Sequence, residues 1–379
     1  MSKILILVNH ATTLCHFRTE LVDALLQDGY EVVISSPYDP RLESFREKGC
    51  DLYPVSLSRH GTNPFRELGL LAAYKKLLRH VRPDAVLSFT IKPNIYGAIA
   101  CRTYGIPILP NITGLGGALE NQGIIRAVTI FLYRYAFRKT HAVFFQNTEN
   151  LRFFMEKGIL RGRYILLPGS GVNLTRFTPL PYPPEDTVRF LFVGRMTASK
   201  GIREYLEAAK SLRSTHPNTE FHMCGSCEEG YRPLMEQAAR AGSIHYHGEV
   251  SDIRPLLQQA HCVVLPSYHE GMANALLEGA ASARPVIASD IPGCRETFED
   301  GVSGFACHPR STQSLIQAME RFLLLPCHEK AAMGLRGRQK VAQAFDRRLV
   351  VEAYLSELSA LTGPPRLTTS PPLLTEKPT

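Results

Sequence analysis

The chain has 379 residues, of which 44% are hydrophobic and 21% are charged. This composition excludes a disordered or fibrous protein, and the length leaves room for two globular domains. The formal net charge is +8, and the whole excess lies between Met1 and Ser170, where there are 21 basic and 13 acidic residues. An excess confined to one half indicates an anionic partner (a membrane surface, a phosphorylated substrate or nucleic acid), although solubility alone also explains it.

The nine cysteines and the short apolar runs argue against a disulfide-rich, a secreted or a membrane-spanning protein. Because the cysteines are odd in number and irregularly spaced, they predict no disulfide framework, and Cys224 and Cys227 form a lone CxxC without the second pair of a zinc ribbon. The first apolar run, residues 4–8, is too short for a secretory signal, and none approaches the roughly eighteen residues that span a bilayer. We expect a cytoplasmic protein that meets a membrane only from its side.

Short β-rich runs alternate with helical patterns in chain order. Strands are predicted over 4–8, 31–34, 85–88 and 142–145, and helices over 20–26, 41–48, 96–103 and 150–157. The alternation restarts with strands over 189–193, 221–223, 262–265 and 285–288. Such strands, separated by helices, predict parallel sheets covered by helices on both faces, so the fold class is α/β with two similar units.

A proline-rich segment separates the two series. Residues 178–186 read TPLPYPPED, and four prolines in nine residues make a stiff connector. We therefore predict an N-terminal domain over 1–177 and a C-terminal domain over 187–345. A helix over 346–361, which could cross back to the first domain, and a disordered Pro/Thr/Ser-rich tail over 362–379 complete the chain.

The first candidate binding loop, in VGRMTASKGI, carries Arg195 and Lys200 between a strand end and a helix that starts near Gly201. Arginine grips phosphate oxygens in a two-pronged manner, and lysine supplies a movable point charge. A loop with both cations that enters a helix N-terminus suits a diphosphate. Two solvated cations would give the same pattern, so these residues alone favour neither a diphosphate site nor a solvated loop.

The second candidate is the segment SYHEGMANALLEGA. Glu270 precedes a predicted helix, and Glu278 lies about two turns inside it. Small residues at Gly271 and Ala273 would leave the first-turn amides open to sugar hydroxyls or phosphate oxygens, helped by the helix dipole. The two carboxylates could accept hydrogen bonds from the hydroxyls of a sugar and a ribose. By spacing alone, a helix start at Glu270 and an ion pair at Glu278 explain the segment better.

A third segment, PVIASDIPGCRE, is a strand followed by a glycine turn. Together the three segments resemble the signature of the family 4 retaining glycosyltransferases, which have the GT-B fold: two facing Rossmann-like domains with parallel sheets and a deep interdomain cleft. The resemblance implies that Arg195 and Lys200 grip the donor diphosphate, that Glu270 holds the donor sugar, and that Glu278 holds the ribose. It also implies donor contacts from Gly194, Val250, Gly271, Met272 and Ala273. One departure is Ala283, where the family usually has glycine.

The N-terminal half carries a narrower resemblance. CHFR at 15–18, NPF at 63–65, GLG at 114–116 and NQG at 121–123 look like transferases that extend polyprenyl-diphosphate-linked sugars in bacterial capsule, O-antigen and N-glycan assembly, a GalNAc transferase among them. This implies a UDP-sugar donor carrying a hexose or N-acetylhexosamine, and a lipid-linked saccharide acceptor. The acceptor-side candidates are His16, Arg18, Lys92, Thr113 and Gly114.

The sequence also bears on the mechanism. Many family members place a histidine near the reacting sugar, where this chain aligns Thr113, so a side-chain base is in doubt. His16, in the loop after the first strand, is the substitute candidate. If the acceptor attacks the face that the nucleotide leaves, the departing diphosphate can take the proton. Since no Asp-x-Asp motif occurs, we expect neither a metal nor another cofactor.

The segment GIIRAVTIFLYRYAFRK has two interpretations, which differ in whether the protein binds a membrane. Apolar residues recur at helical spacing, with Arg126 and Arg134 off the stripe: Ile124, Val128, Phe131, Leu132 and Tyr135. An amphipathic helix on anionic lipid and an ordinary helix packed on the sheet both fit. The charge excess favours lipid, and hence a peripheral position on the inner face of the cell membrane.

Two other functions stay open, a sugar-nucleotide epimerase of the same fold and a non-catalytic pseudo-transferase that binds a partner enzyme. The pseudo-transferase is disfavoured because all four charged motif residues are present. A nucleic-acid binder is disfavoured because the basic residues form no run interleaved with stacking aromatics.

Overall fold

The computed structural model describes residues 1–55, 64–116, 119 and 123–363. Contacts divide the chain into two compact units. Of the described residues, those within 1–145, 151–166 and 351–363 form unit 1, and those within 146–150 and 167–350 form unit 2. Three residues of the predicted motifs, Asn63, Asn121 and Gln122, lie outside the described residues, as does the tail beyond Gly363.

Unit 1 is built on a seven-stranded sheet in which every pairing is parallel. Its strands, in the order β3-β2-β1-β4-β5-β6-β7, are β1 (Lys3–Leu7), β2 (Glu31–Ser36), β3 (Asp51–Pro54), β4 (Ala85–Phe89), β5 (Ile108–Ile112), β6 (Ala142–Phe145) and β7 (Arg163–Leu166). Ile4 pairs with Val32 on one side and with Ala85 on the other. Strand β4 is buried along its whole length and β1 from Ile4 onward, which explains their continuous apolar runs.

Seven described α-helices precede Leu167, in unit 1 or in its first connection with unit 2. They are α1 (Ala11–Phe17), α2 (Thr19–Gln27), α3 (Glu43–Glu47), α4 (Pro64–Val81), α5 (Ala98–Tyr104), α6 (Ile124–Ala136) and α7 (Thr148–Glu156). One prediction was wrong here: the segment after β1 is helical, so His16 lies in α1 and not in a loop. The run is short and rich in Thr, which disguises it.

Unit 2 repeats the architecture with six parallel strands in the order β10-β9-β8-β11-β12-β13. They are β8 (Val188–Val193), β9 (Thr219–Cys224), β10 (His245–Tyr246), β11 (Cys262–Leu265), β12 (Val286–Ser289) and β13 (Gly304–Cys307). The helices are α8 (Ile202–Thr215), α9 (Arg232–Arg240), α10 (Arg254–Gln259), α11 (Asn274–Ala281), α12 (Thr312–Leu323) and α13 (Cys327–Ala344). The two parallel α/β units confirm the predicted fold class.

The division between the units falls earlier than the proline-rich segment. Val172 donates from its backbone to Phe345 O at 2.8 Å and accepts from the Arg347 amide at 3.1 Å, so the chain after Leu167 already packs in unit 2. The last described helix, α14 (Arg347–Thr362), belongs to unit 1 from Val351 onward. The chain therefore changes unit within α14.

The unit 1 part of α14 is tied to its sheet by buried contacts. Tyr354 is fully buried, its ring lies 4.2 Å from that of Phe144, and its hydroxyl accepts a hydrogen bond from Asn111. Glu357 forms an ion pair with Arg163 at 2.6 Å. Among the described helices, none is both long and apolar enough to cross a membrane.

Candidate functional site

The carboxyl ends of four neighbouring strands in unit 2 carry loops that are hydrogen-bonded to one another. Gly194 N donates to Cys224 O at 3.0 Å, which joins the loops after β8 and β9. Tyr268 N donates to Ser199 O at 2.8 Å, which joins the loops after β8 and β11. In open α/β sheets this edge is where ligands bind. The sequence-predicted loops therefore meet at the expected position in the fold.

Two glycines allow these loops to approach closely. Gly201 has φ +68°, and a Cβ there would lie 2.1 Å from Pro266 O. Gly293 has φ +84°, and a Cβ there would lie 2.6 Å from Glu270 O. Only glycine tolerates both the left-handed backbone and the contact. Gly201 allows the Arg195–Lys200 loop to lie against the segment after β11, and Gly293 allows the turn after β12 to lie against Glu270.

Lys200 and Glu270, predicted from separate motifs, form an ion pair. Lys200 Nζ lies 2.5 Å from Glu270 Oε1, and Ser267 Oγ donates to the same oxygen at 2.7 Å. Glu270 is only 7% exposed, so the pair is largely shielded from solvent. The arrangement holds an ammonium group and a carboxylate at the sheet edge.

Arg195 contrasts with its neighbour in the same loop. It is exposed, and its side chain has no hydrogen bond or ion pair with any of the residues that the structure describes. An arginine without a protein partner keeps all five N–H donors for an anionic ligand. Gly194, beside it, is half-buried, and a Cβ there would meet only the Phe192 ring at 3.5 Å.

Glu278 lies in α11, two turns after Glu270, and is half-buried. Burial raises the pKa of its carboxyl from 4.5 to about 7, against the opposing effect of Arg347 and Arg176. The folded protein therefore holds this carboxylate at an energetic cost near neutral pH. Strongly shifted carboxyl groups cluster at functional sites, although a shift alone assigns no role.

The remaining donor-side candidates lie around the start of α11. Met272 and Ala273 are buried and Gly271 is half-buried. The expectation of an open amide was wrong for Ala273, whose N–H donates to Gly293 O at 2.8 Å because the Gly293 turn lies against this loop. Val250, between β10 and α10, is half-buried against the core of unit 2.

Two residues that the sequence analysis missed hold this segment in place. Asn147 Nδ2 donates to Gly271 O at 2.5 Å, and a Cβ on Gly169, which has φ +64°, would lie 2.4 Å from Met272 Cγ. Both belong to unit 2 although they precede its first strand. Their only sequence signal was the polar QNTEN run after β6 and the PGSG turn.

The backbone at Ala283 explains why glycine suits this position. Ala283 has φ +57°, in the left-handed region that costs a residue with a Cβ about 1–2 kcal/mol. The chain accepts alanine there at that cost.

The acceptor-side candidates in unit 1 differ from Arg195 in their burial and contacts. Arg18 is 1% exposed, with its guanidinium 4.9 Å from the centroid of the Phe89 ring and 6.0 Å from that of Tyr354. Its Nη1 donates to Phe17 O at 2.7 Å. Arg18 is therefore part of the packing of unit 1, whereas His16, two residues earlier, is exposed on α1.

The other unit 1 candidates flank β4 and β5. Lys92 forms an ion pair with Glu67 at 2.6 Å, and both side chains are mostly buried. Thr113 and Gly114 follow β5 and are half-buried, and a Cβ on Gly114 would meet nothing within 4 Å. The two residues thus leave room at the carboxyl end of β5. Gly117, at the end of the GLGG run, lies outside the described residues.

The CxxC pair has no feature of a reactive site. Cys224 and Cys227 are free thiols, and burial raises the pKa of both, that of Cys224 to about 12. Reactive and metal-binding thiols need a lowered pKa. The pair therefore belongs to the loop after β9.

The helix α6 presents apolar side chains to solvent. Its buried residues are Thr129, Tyr133 and Ala136. The opposite side carries large exposed apolar residues, with these exposed fractions: Ile124 83%, Ile125 57%, Val128 50%, Phe131 67% and Tyr135 39%. We call these five residues the α6 face. Most of the apolar stripe read from the sequence therefore faces away from the sheet, and Leu132 is half-buried.

Two family models match the chain. Residues 3–147 match the glycosyl transferase 4-like family, and residues 187–324, which include Arg195, Lys200, Glu270 and Glu278, match the glycosyl transferases group 1 family. The chain is a family 4 glycosyltransferase. Its two parallel-sheet units are those of the GT-B fold, as the sequence predicted.

Relatives of the transferase agree with this. An N,N'-diacetylbacillosaminyl-diphospho-undecaprenol alpha-1,3-N-acetylgalactosaminyltransferase from Campylobacter jejuni is 27% identical over 92% of this chain and 96% of the relative. A putative colanic acid biosynthesis glycosyltransferase from Escherichia coli, WcaL, is 28% identical over 52% of this chain and 51% of its own. The alternatives of an epimerase and a non-catalytic partner are not favoured.

Solved structures share the fold. The Anabaena protein HepE, crystallised with UDP and glucose, superposes with a TM-score of 0.77 at 17% identity, over 95% of this chain and all of that one. At this identity the likeness establishes the fold of the transferase and leaves its substrates to be argued separately.

Proposed function

We propose that the transferase moves a hexose or N-acetylhexosamine from a UDP-sugar to a polyprenyl-diphosphate-linked saccharide, with retention at the anomeric carbon, in bacterial surface glycan synthesis. The observation that carries the donor side is the Lys200–Glu270 ion pair beside Arg195, which has no partner among the described residues, at the carboxyl edge of the unit 2 sheet. The acceptor class is supported by the activity of the Campylobacter relative, whose similarity spans almost the full length of both chains.

In this proposal the two cations act on the leaving group. Arg195 binds the diphosphate oxygens in a two-pronged manner, and Lys200, positioned by Glu270, adds a second positive charge. Glu270 also accepts from hydroxyls of the donor sugar, and Glu278 accepts from those of the ribose. Charge that develops on the diphosphate as its bond to the sugar breaks meets cations already in place, which is the most effective form of electrostatic catalysis.

The reaction balances without a side-chain base. The acceptor oxygen forms its bond to the anomeric carbon on the face that the diphosphate leaves, and the carbon–oxygen bond to the diphosphate breaks. The acceptor proton moves to the departing diphosphate oxygen. We propose that neither a metal nor another cofactor takes part, because the cationic loop supplies the positive charge that a metal would otherwise provide.

Transfer assays test the donor and acceptor together. Purified protein is incubated with UDP-hexoses or UDP-N-acetylhexosamines and an undecaprenyl-diphosphate saccharide, and the anomeric configuration of the product is read by NMR. We expect one donor to give a product with retained configuration, and turnover to persist in EDTA. An inverted product, epimerised donor without acceptor, or complete metal-reversible loss in EDTA would contradict the proposal.

We further propose that the α6 face binds an anionic membrane surface. Its apolar side chains would enter the boundary of the acyl chains, and two basic residues just beyond the helix, Arg138 and Lys139, are exposed near lipid phosphates, with Arg138 also 5.6 Å from the centroid of the Tyr135 ring. Arg126 and Arg134 contribute less, because Arg126 lies over the Phe153 ring and Arg134 donates to Lys157 O.

A liposome-binding assay distinguishes a membrane-binding α6 face from a helix that only packs on its own sheet. Val128→Ser combined with Phe131→Ser should lower binding to anionic liposomes at least tenfold and leave UDP-sugar binding unchanged. The matched control is Leu324→Ser, which removes an 81% exposed leucine in unit 2. Equal liposome binding by the double variant and the control would remove the membrane assignment.

A further inference from the structure

A group of histidines lies at the β10 edge of the unit 2 sheet, away from the loops described above. Side chains alternate along a strand, so Glu220 and His222 of β9 share one face. His245 of β10 is the register partner of His222, which puts its side chain on the same face. His247, two residues further on, follows this alternation. The pattern Glu-x-His followed by His-x-His on adjacent strands therefore gathers four polar side chains.

The ligand atoms of three of these residues lie close together. One atom each from Glu220, His222 and His245 falls within 4.8 Å of the other two. Glu220 Oε2 lies 3.3 Å from His222 Nε2, and the rings of His222 and His245 are stacked with centroids 4.8 Å apart. No other such group of three occurs among the residues that the structure describes.

Two further contacts orient the group. His222 Nδ1 lies 2.9 Å from His247 Nε2, so a proton on Nδ1 leaves Nε2, the nitrogen that faces Glu220, with its lone pair free. Arg189 Nε donates to Glu220 Oε2 at 2.8 Å. Histidines that bind metals are commonly held by such a hydrogen bond through the other ring nitrogen. The Arg189 contact holds the Glu220 carboxylate through Oε2, the oxygen that faces His222.

We propose that Glu220, His222 and His245 form a binding site for a divalent transition-metal ion such as Zn²⁺, supported by His247 and Arg189. Two imidazole nitrogens and one carboxylate oxygen suit Zn²⁺ and its transition-metal neighbours, whereas Mg²⁺ and Ca²⁺ prefer oxygen ligands alone. A water molecule fills the fourth position. The site takes no part in the transfer reaction proposed above and does not depend on it.

Small movements of the three side chains bring their ligand atoms to the spacing of a tetrahedral zinc site. Zinc bonds of about 2.0–2.2 Å in a tetrahedral site bring ligand atoms to about 3.4 Å from one another. His245 is exposed, so its ring can turn towards the other two ligands without disturbing the core. The consequence is structural: the ion would fasten β10, an edge strand of two residues, to β9.

The test uses the untagged full chain, stripped with EDTA and then titrated with Zn²⁺ by calorimetry and with Co²⁺ by visible absorption. We expect one ion per chain, a tetrahedral Co²⁺ spectrum, and a thermal midpoint raised by about 5 °C or more when free Zn²⁺ is near 100 times its Kd. His245→Ala, at an exposed position, should weaken binding at least tenfold, and His247→Ala should weaken it by about 10- to 100-fold.

The control variant is His328→Ala, which removes an exposed histidine of α13 and should leave binding unchanged. Absence of saturable binding would overturn the proposal, and so would binding that His245→Ala leaves intact. Because His222 is half-buried, His222→Ala is read only after circular dichroism shows the parent fold, and full Zn²⁺ affinity in that folded variant would also overturn the site.

Discussion

The two units share one architecture, yet their candidate residues are used in different ways. In unit 1, Arg18 is 1% exposed between two aromatic rings, and Lys92 is paired with Glu67. In unit 2, Arg195 is exposed at the carboxyl ends of the strands, and Lys200 and Glu270 meet there across two loops. A cation that packs or pairs within its own unit is part of the fold, whereas one left at the sheet edge is available to an anionic ligand.

Residue type and spacing alone did not distinguish an arginine that packs within its unit from one that is exposed to a ligand. Arg195 follows its strand by two residues and Arg18 follows the predicted first strand by ten, and both were predicted to contact ligands, Arg18 on the narrower resemblance. What separates them is the neighbourhood: Tyr354, 336 residues later in the chain, covers Arg18. Four substitutions test whether charged residues serve the fold in unit 1 and ligand binding in unit 2.

Arg195→Ala should have the largest effect. Removing one preorganised charge partner of the leaving group should lower kcat about 100- to 1000-fold, equivalent to about 3–4 kcal/mol of barrier. Thermal stability should not change, because the side chain has no hydrogen bond or ion pair with the described residues. Steady-state kinetics and calorimetric melting measure the two quantities. Arg240→Ala, which removes an exposed arginine of α9, is the control and should keep parent kcat. A similar loss in the control, or a parent-like kcat in Arg195→Ala, would contradict the role.

Glu278→Gln should stabilise the free protein in a pH-dependent way. The carboxyl has a pKa of about 7 when folded and 4.5 as its ordinary value, so folding takes up a proton between these values and stability falls as pH rises through that window. Glutamine removes this loss, so the gain should reach up to about 3 kcal/mol at pH 8 and vanish below about pH 4.5.

Denaturant unfolding at pH 4.5 and pH 8 measures this gain, with the exposed Glu229→Gln as control. Donor affinity should fall in the same variant, because an amide is a weaker acceptor for ribose hydroxyls than a carboxylate. A pH-independent stability difference would mean that the carboxyl is not the titrating group. Unchanged UDP-sugar affinity in calorimetry would remove its ribose role.

Arg18→Lys tests the other side of the comparison. It keeps the charge but loses the flat guanidinium over Phe89 and Tyr354, so we expect a stability loss of about 1–2 kcal/mol and an unchanged KM for the acceptor. Arg79→Lys, at an exposed position on α4, is the control and should lose nothing. A tenfold rise in acceptor KM at parent stability would show that Arg18 contacts the acceptor.

Much of the fold could be read from the sequence because its signals are local. Each of the eight predicted strands overlaps an observed one, since fully buried parallel strands appear as continuous apolar runs. Strand β5 was missed because Pro110 and Asn111 interrupt its apolar run, although both lie in the sheet. Strand β10 was missed because it has only two residues, one of them an exposed histidine.

The candidate site could be predicted only in part, because some of its contacts join segments that are distant in the sequence. The loop positions of Arg195 and Glu270 follow from the strand ends, which are local features. The pairing of Lys200 with Glu270, the use of the Ala273 amide by Gly293, and the anchoring of Gly271 by Asn147 depend on contacts between distant segments. Spacing within one motif carries no information about such contacts.

His16→Gln should have the smallest effect, and it decides whether unit 1 supplies chemistry. His16 is exposed on α1, so glutamine should leave stability unchanged. If the departing diphosphate takes the acceptor proton, kcat should stay within about twofold of the parent, since only a general base is worth about 100- to 10,000-fold. The pH dependence of kcat should also keep its shape. A fall of kcat in that range, together with loss of the acidic limb of the profile, would assign the base to His16 and place a catalytic group in unit 1. A parent-like profile would leave proton removal to the donor itself, and the catalytic side chains would then all belong to unit 2.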